Sequence, residues 1–411
     1  MSILLISADE GDFQPLGIAG PAAYLRAAGV TVQTVDLTRE SGKQVDPAEM
    51  IAFSIAIFGS IEPPLAKARE FRASGYTGPM VFYNQYAIVQ PETFLLDERC
   101  FVIMGEFEEI LVECVALHAA GQSIAEAPHV YSQGGVRPGK NFKRKRFLPP
   151  DRSGLPHLST YARWDGRTLG NVETMRGCAH PCAYCSVFAA YERTVIKIPE
   201  EVILADIDAV VEMGAEHITF IDADFFSTGK RGHGVVQQMK ARHPDLTFDI
   251  TARLDDVIRH QTLLGSFRQL GCLELTSAFE FPDESTLKIL RKGITVDQMR
   301  SAVSILKETG IRLKPTFITY NPWNNLDKMQ DMEGMLKRLG IEEPLDPMQS
   351  QTRLLLYKGS PLLKQAEIQN LKLADRGTYY TWTHPDERVD DAYAELAGAG
   401  HDVRMRCCIK G

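Results

Sequence analysis

The chain has 411 residues, 44% hydrophobic and 24% charged, with a formal net charge of -8. That length exceeds one small core and points to two domains, and the acidic balance argues against wholesale nucleic-acid binding. No stretch approaches a membrane span and "MSILLISADEGDF" lacks a basic n-region, so a cytoplasmic protein with no membrane partner is expected.

From the N-terminus, "ILLISA" reads as a buried strand, "AAYLRAAG" as a helix ending at Gly29, and "VTVQTVD", "IAFSIAIFGS", "MVFYN" and "FVIMGE" as further strands. Alternating strand and helix with right-handed crossovers predicts an α/β, doubly wound, Rossmann-like sheet over residues 1–125. Residues 126–165 are rich in Gly and Pro and carry Lys143-Arg144-Lys145-Arg146, so a solvated linker is expected, with a docking patch as the alternative. Between 166 and 372 the alternation resumes, with strands at 171–176, 217–222, 247–252, 272–278, 312–319 and 351–356 and helices at 199–213, 295–309 and 326–339. Pro199 suits a first helical turn, and Thr295 with Gln298 has capping-box spacing. Six strands with intervening helices predict a partial (β/α)6 barrel, whose chemistry belongs at the carboxyl ends of its strands. Residues 373–411 form a tail without strand–helix rhythm that ends in Cys407-Cys408 before Ile409.

Three of the eight cysteines, Cys178, Cys182 and Cys185, lie within eight positions just after the first barrel strand, flanked by Gly177 and Pro181. A disulfide framework does not suit a chain of this size, and thiolates in a reducing compartment select zinc, copper(I) or iron–sulfur clusters. No second CxxC pair or His-x3-His stands nearby to close a zinc site. Three cysteines on a loop suit a [4Fe-4S] cluster that leaves one iron to a non-protein ligand; inert buried thiols are the plainer alternative.

The CxxxCxxC spacing, with Tyr184 before the last cysteine, resembles the radical S-adenosylmethionine (SAM) superfamily. The resemblance implies that the open iron takes the amino and carboxylate groups of SAM beside Tyr184. It also implies that an electron from an external donor such as flavodoxin breaks a carbon–sulfur bond of the sulfonium. Asp222 and Asp224 end the second strand, where the family places acceptors for SAM's amino group, and Arg253 ends the third, where it would pair with the carboxylate. Glu280 ends the fourth in a segment resembling Gly-Ile-Glu-Ser, with Ala278 where glycine is usual. "RLLLYKGSPL" at 353–362 resembles the sixth-strand segment that meets adenine, and Tyr320 and Trp323 line either a substrate cavity or an ordinary packed loop.

"PLGIAGPAAYLRAAGVTVQTVDL" and "FVIMGEFEEILVECVAL", with a Gly-Glu-x-Glu turn at 105–108, resemble the N-terminal domain of cobalamin-dependent members of that superfamily. No histidine precedes His118, so the Asp-x-His-x-x-Gly axial-ligand motif is missing and cobalamin, although the fold allows it, is disfavoured. In "RMRCCIKG", cations beside Cys407 and Cys408 favour thiolates, and adjacent cysteines are badly placed for a mutual disulfide; a frayed terminus is the alternative. This ending resembles the radical SAM group named for an Arg-Cys-Cys-Leu-Lys-Cys tail, which includes the enzyme assigned to arsinothricin biosynthesis. The resemblance implies that Cys407 and Cys408 capture arsenite and that SAM's 3-amino-3-carboxypropyl group is transferred to arsenic. Ile409 and Gly411 depart from that motif and leave a third arsenic ligand to Cys272, another thiol or solvent oxygen. A cobalamin-dependent methyltransferase, a redox-only arsenic or metal sensor, and a peptide- or tRNA-modifying enzyme are the alternatives.

Overall fold

A computed structural model describes residues 1–43, 45–343, 347–398 and 405–406. They divide into two compact units, residues 1–174 with 196–218, and residues 175–195 with the described residues from 219 onward. In the first unit, β1 (Ser2–Ser7), β2 (Thr31–Asp36), β3 (Met50–Ser54), β4 (Met80–Tyr83), β5 (Cys100–Ile103) and β6 (Val130–Ser132) form a sheet in the order β2-β1-β3-β4-β5-β6. The first five are parallel and β6 pairs antiparallel with β5. The runs Ile3–Ile6, Met50–Phe53 and Met80–Tyr83 are wholly buried, as parallel strands covered on both faces must be. The doubly wound expectation therefore holds, and the strand order reverses between β1 and β3.

The helix expected from residue 22 begins earlier, spanning Leu16–Ala27 with Pro21 inside it. Proline has no N–H to give the carbonyl four residues back. That carbonyl, on Gly17, instead accepts a 2.8 Å hydrogen bond from the Tyr83 hydroxyl, so the interruption is satisfied by tertiary structure.

Residues 126–165 are part of the first unit rather than a solvated linker. The side chain of Arg144, in the basic run, is 5% exposed and pairs with Glu106 at 3.3 Å and Glu108 at 3.4 Å, the two acids of the Gly-Glu-x-Glu turn. Arg152 is also buried; its Nε and Nη2 each lie 3.0 Å from the Asp206 carboxylate, and Nη1 donates to Gln14. Arg144 of the basic run is thus spent on internal carboxylates that would be costly to bury alone, while Lys143, Lys145 and Arg146 stay exposed. The antiparallel pair β7 (Arg163–Trp164) and β8 (Arg167–Val172) completes this stretch.

β9 (Met175–Gly177) and β10 (Val195–Lys197) precede β11 (His217–Phe220), β12 (Thr247–Thr251), β13 (Cys272–Glu280) and β14 (Arg312–Phe317). These last four are neighbours in the order β14-β13-β12-β11, parallel across β12–β13 and β13–β14. The predicted sixth strand is two short pieces, β15 (Arg353–Leu354) and β16 (Leu356–Tyr357). β15 follows on through a parallel Tyr320–Arg353 bridge, while β16 turns to an antiparallel sheet with β17 (Leu373–Asp375) and β18 (Tyr379–Trp382). Beyond 373, a helix over Glu387–Gly398 and β19 (Met405–Arg406), parallel to β15, replace the expected rhythmless tail. That helix is held by Arg353, whose guanidinium lies 3.8 Å from the Trp382 ring centroid, 4.8 Å from that of Tyr393, and 2.7 Å from Asp390.

Thr295 and Gln298 form the expected capping box, and Pro199 stands as the N-cap of Glu200–Glu212 rather than inside its first turn. The helix expected over 326–339 divides at Asp331 into Leu326–Gln330 and Met332–Leu339. No helix among the described residues is long and apolar enough to cross a membrane.

Candidate iron–sulfur and SAM site

β9 delivers the chain to the cysteine loop through Gly177, at φ +86°, where a Cβ would stand 2.1 Å from the Thr194 carbonyl oxygen. Only glycine fits so close a backbone approach with that dihedral. The loop is pinned by Ala183, whose N–H donates to the Leu290 carbonyl at 2.9 Å, and it ends with Cys185 capping the helix Ser186–Tyr191. Cys182 is buried while Cys178 and Cys185 are half-buried.

Among the described residues, the one group of three or more His, Cys, Asp or Glu ligand atoms within 4.8 Å of one another is His180, Asp224 and Asp256. A single zinc with sulfur at about 2.3 Å would draw its thiolates to within about 4.6 Å of each other. The three cysteines therefore stand wider than one ion would hold them, and three soft donors on one loop fit an iron–sulfur cluster. Burial, with Asp224 and the neighbouring thiols, pushes the Cys178 thiol up to about 12. Burial also raises Cys182, against the opposing pull of Lys292 and Arg253. Metal loading would have to displace these protons.

Arg253 follows β12 and N-caps the helix Leu254–Arg259. Its Nη1 donates to Cys182 Sγ at 3.3 Å, its Nε to Asp255 at 2.8 Å and its Nη2 to the Lys292 carbonyl at 2.6 Å. Asp224, fully buried, accepts from His180 Nε2 at 3.2 Å, Ser227 Oγ at 2.7 Å and the Arg253 N–H at 3.4 Å. These donors outweigh desolvation and hold its carboxyl below the usual range; Asp224 and Asp256 in turn raise His180 against burial. Asp222, also buried, accepts the Met175 N–H at 3.1 Å. The two aspartates expected to receive SAM's amino group thus have protein donors as partners in this structure, and Arg253, expected on the carboxylate, donates to Cys182.

Glu280 ends β13 at a register shift and adopts φ +61°, unusual for a side-chain-bearing residue. Its Oε1 accepts from the Tyr184 hydroxyl and from Lys292 Nζ at 2.8 Å, and Lys292 also donates to the Tyr184 oxygen at 3.0 Å. Burial, and the neighbouring Glu280 and thiols, raise the Tyr184 hydroxyl far above its ordinary value, so it remains a donor. Cys178, Cys182, Cys185, Tyr184, Asp222, Asp224, Arg253 and Glu280 all fall in the second unit. Cys272 is the first residue of β13 and Glu280 its last, about 26 Å apart at strand rise, so Cys272 lies at the opposite end of that strand from Glu280. Cys407 and Cys408 lie outside the described residues. Sequence reading missed His180, although it sits inside the cysteine motif, and Lys292, which no local pattern marks.

In the first unit, ligands of doubly wound sheets bind at the strand-order reversal, against a helix N-terminus. There Glu10 accepts from Ser7 at 2.6 Å and Ser54 at 3.1 Å, the last residues of β1 and β3, and from the Gly17 N–H at 3.1 Å. Burial raises its carboxyl despite these donors. The helix end that would take a cofactor phosphate already holds a protein carboxylate, so these residues do not fit a phosphate-bearing cobalamin tail at that point.

Residues 172–336 match the model of the Radical SAM superfamily. The anaerobic magnesium-protoporphyrin IX monomethyl ester cyclase of Rubrivivax gelatinosus is 23% identical over 335 residues, 75% of this chain and 59% of that relative. The hopanoid C-3 methylase of Methylococcus capsulatus is 23% identical over 328 residues, 76% of this chain and 62% of that protein. The chain thus spans about three fifths of the length of these relatives. The structure of the cobalamin-dependent SAM radical enzyme OxsB with aqua-cobalamin and SAM bound is similar in fold, at TM-score 0.75 and 15% identity, covering 96% of this chain and 66% of that one.

Proposed function

Residues 172–336 form a radical SAM domain, whose cofactors are a [4Fe-4S] cluster and SAM, and we propose that the chain uses them to transfer the 3-amino-3-carboxypropyl group of SAM to arsenite. The observation that carries the proposal is the course of the C-terminal segment. β19 runs parallel beside β15, with Met405 opposite Arg353 and Arg406 opposite Leu354, and Cys407 and Cys408 are the next two residues in sequence.

When bound, the cluster would supply the electron that opens a carbon–sulfur bond of SAM. Cys178, Cys182 and Cys185 hold it, and Tyr184, fixed by Glu280 and Lys292, lines the same loop. Asp222, Asp224, Arg253 and Glu280 surround the loop as candidate SAM contacts, directly or by shaping its walls. Cys407 and Cys408 bind arsenite as the substrate through soft thiolates. In the net reaction two electrons from an external donor such as flavodoxin enter, the bond between sulfur and the aminocarboxypropyl carbon breaks to release methylthioadenosine, and a carbon–arsenic bond forms as arsenite loses one hydroxide.

Anaerobic incubation with dithionite, SAM and arsenite, followed by mass spectrometry, tests this. Methylthioadenosine and an aminocarboxypropyl arsenical are expected, with the arsenical lost in a Cys407→Ser, Cys408→Ser variant. 5'-Deoxyadenosine without methylthioadenosine refutes it. S-Adenosylhomocysteine formed only with added cobalamin would favour cobalamin-dependent methyl transfer, the reading that joins the methylase named in Methylococcus capsulatus to the cobalamin named for OxsB.

A further inference from the structure

Arg253 brings a buried guanidinium against Cys182. The guanidinium is fixed on three sides, by Asp255, by the Lys292 carbonyl and by the Cys182 sulfur, and its side chain is 8% exposed. Three of its five N–H donors, one on each nitrogen, already go to protein atoms, which fixes its orientation toward Cys182. The thiol it reaches is the middle ligand of the CxxxCxxC motif. Hydrogen bonds to ligand sulfurs and the local net charge are two of the means by which a protein sets an iron–sulfur potential. A cation beside a ligand sulfur favours the reduced, more negative cluster.

We propose that Arg253 is a positioning residue for the cluster, which, through its N–H···S hydrogen bond and charge at Cys182, raises the cluster's reduction potential. Asp255 is the counterweight: it aims the guanidinium and offsets part of its charge. Lys292 contributes a second hold through its carbonyl, which ties this arrangement to the Tyr184–Glu280 wall. The inference rests on the cluster reading and not on the arsenic proposal, so it stands whatever the substrate proves to be.

The test uses the full chain reconstituted anaerobically, as wild type, Arg253→Gln, Arg253→Lys and Asp255→Asn. Iron and acid-labile sulfide are counted, the midpoint potential is read by EPR-monitored titration without SAM, and SAM affinity is measured separately by equilibrium dialysis. With iron at the wild-type level, Arg253→Gln is expected to titrate at a more negative potential by about 59 mV or more, a tenfold change in a one-electron equilibrium. Arg253→Lys, which keeps the charge and loses the planar donor set, falls between. Asp255→Asn removes a nearby negative charge and shifts the potential the opposite way. An unchanged potential in Arg253→Gln overturns the proposal, and a fall in SAM affinity alone would return Arg253 to SAM's carboxylate. Should Arg253→Gln fail to load iron, Arg253→Lys decides: a shift to a more negative potential supports the assignment and an unchanged potential overturns it. A wild type without a four-iron signal overturns the cluster reading itself, and this assignment with it.

Discussion

Removing the ammonium of Lys292 should be among the most damaging single changes outside the cysteines. Lys292 Nζ lies 2.8 Å from Glu280 Oε1, with side chains 3% and 4% exposed. At an effective dielectric near 20, that separation corresponds to an attraction of about 6 kcal/mol before desolvation. Breaking a buried pair from one side leaves an uncompensated charge and costs about 3–5 kcal/mol. The Tyr184 hydroxyl still donates to Glu280 in Lys292→Met, which places the expected loss toward the lower end. For a unit of this size that is a fall in melting temperature on the order of 10 °C, read by anaerobic calorimetry of the cluster-loaded protein. Lys292→Met with Glu280→Gln should recover most of the loss, because a neutral amide can be buried with the Tyr184 partner alone. A Lys292→Met loss below about 1 kcal/mol, the range of exposed pairs, would refute the reasoning, as would a double variant no more stable than the single one.

Gly177→Ala should abolish cluster loading, measured as iron per chain, because both the dihedral and the 2.1 Å approach to the Thr194 carbonyl oxygen forbid a Cβ; a variant with full iron would contradict this. His180→Ala should lower iron occupancy, with His180→Asn recovering part of it, since the ring ties the loop to Asp224 and Asp256. Asp283 caps Glu284–Ile289 and pairs with Lys328 at 2.6 Å, which holds its carboxyl at about 2 against an ordinary 3.8. Its stabilisation is therefore fully present above the unfolded value of 3.8 and lost as pH falls from there through the folded value of about 2, so the melting difference between wild type and Asp283→Asn should shrink as pH drops from about 5 to about 2; a constant difference would be incompatible. Wild type soaked with hydroxocobalamin and desalted should retain little corrinoid absorbance, because Glu10 occupies the helix end at the β1–β3 reversal; stoichiometric retention would show that this carboxylate gives way.

Much of the architecture was legible because it depends on local pattern. The buried runs of β1, β3 and β4, the Thr295–Gln298 cap and the CxxxCxxC loop are set by residues a few positions apart, where propensity, capping and ligand spacing act directly. Burial on both faces of the first sheet likewise follows from continuous apolar strands. The partners of the charged residues were not legible. Arg144 reads as a charged tether until Glu106 and Glu108 are brought against it, the approach of Arg253 to Cys182 at 3.3 Å follows from no local pattern, and Lys292 has no signature at all. Sequence determined which residues could carry chemistry and the elements they ride on. Only the tertiary structure decided which of them met, because a buried charge must be matched by a partner supplied through chain crossings tens of residues apart, and no local period encodes that distance.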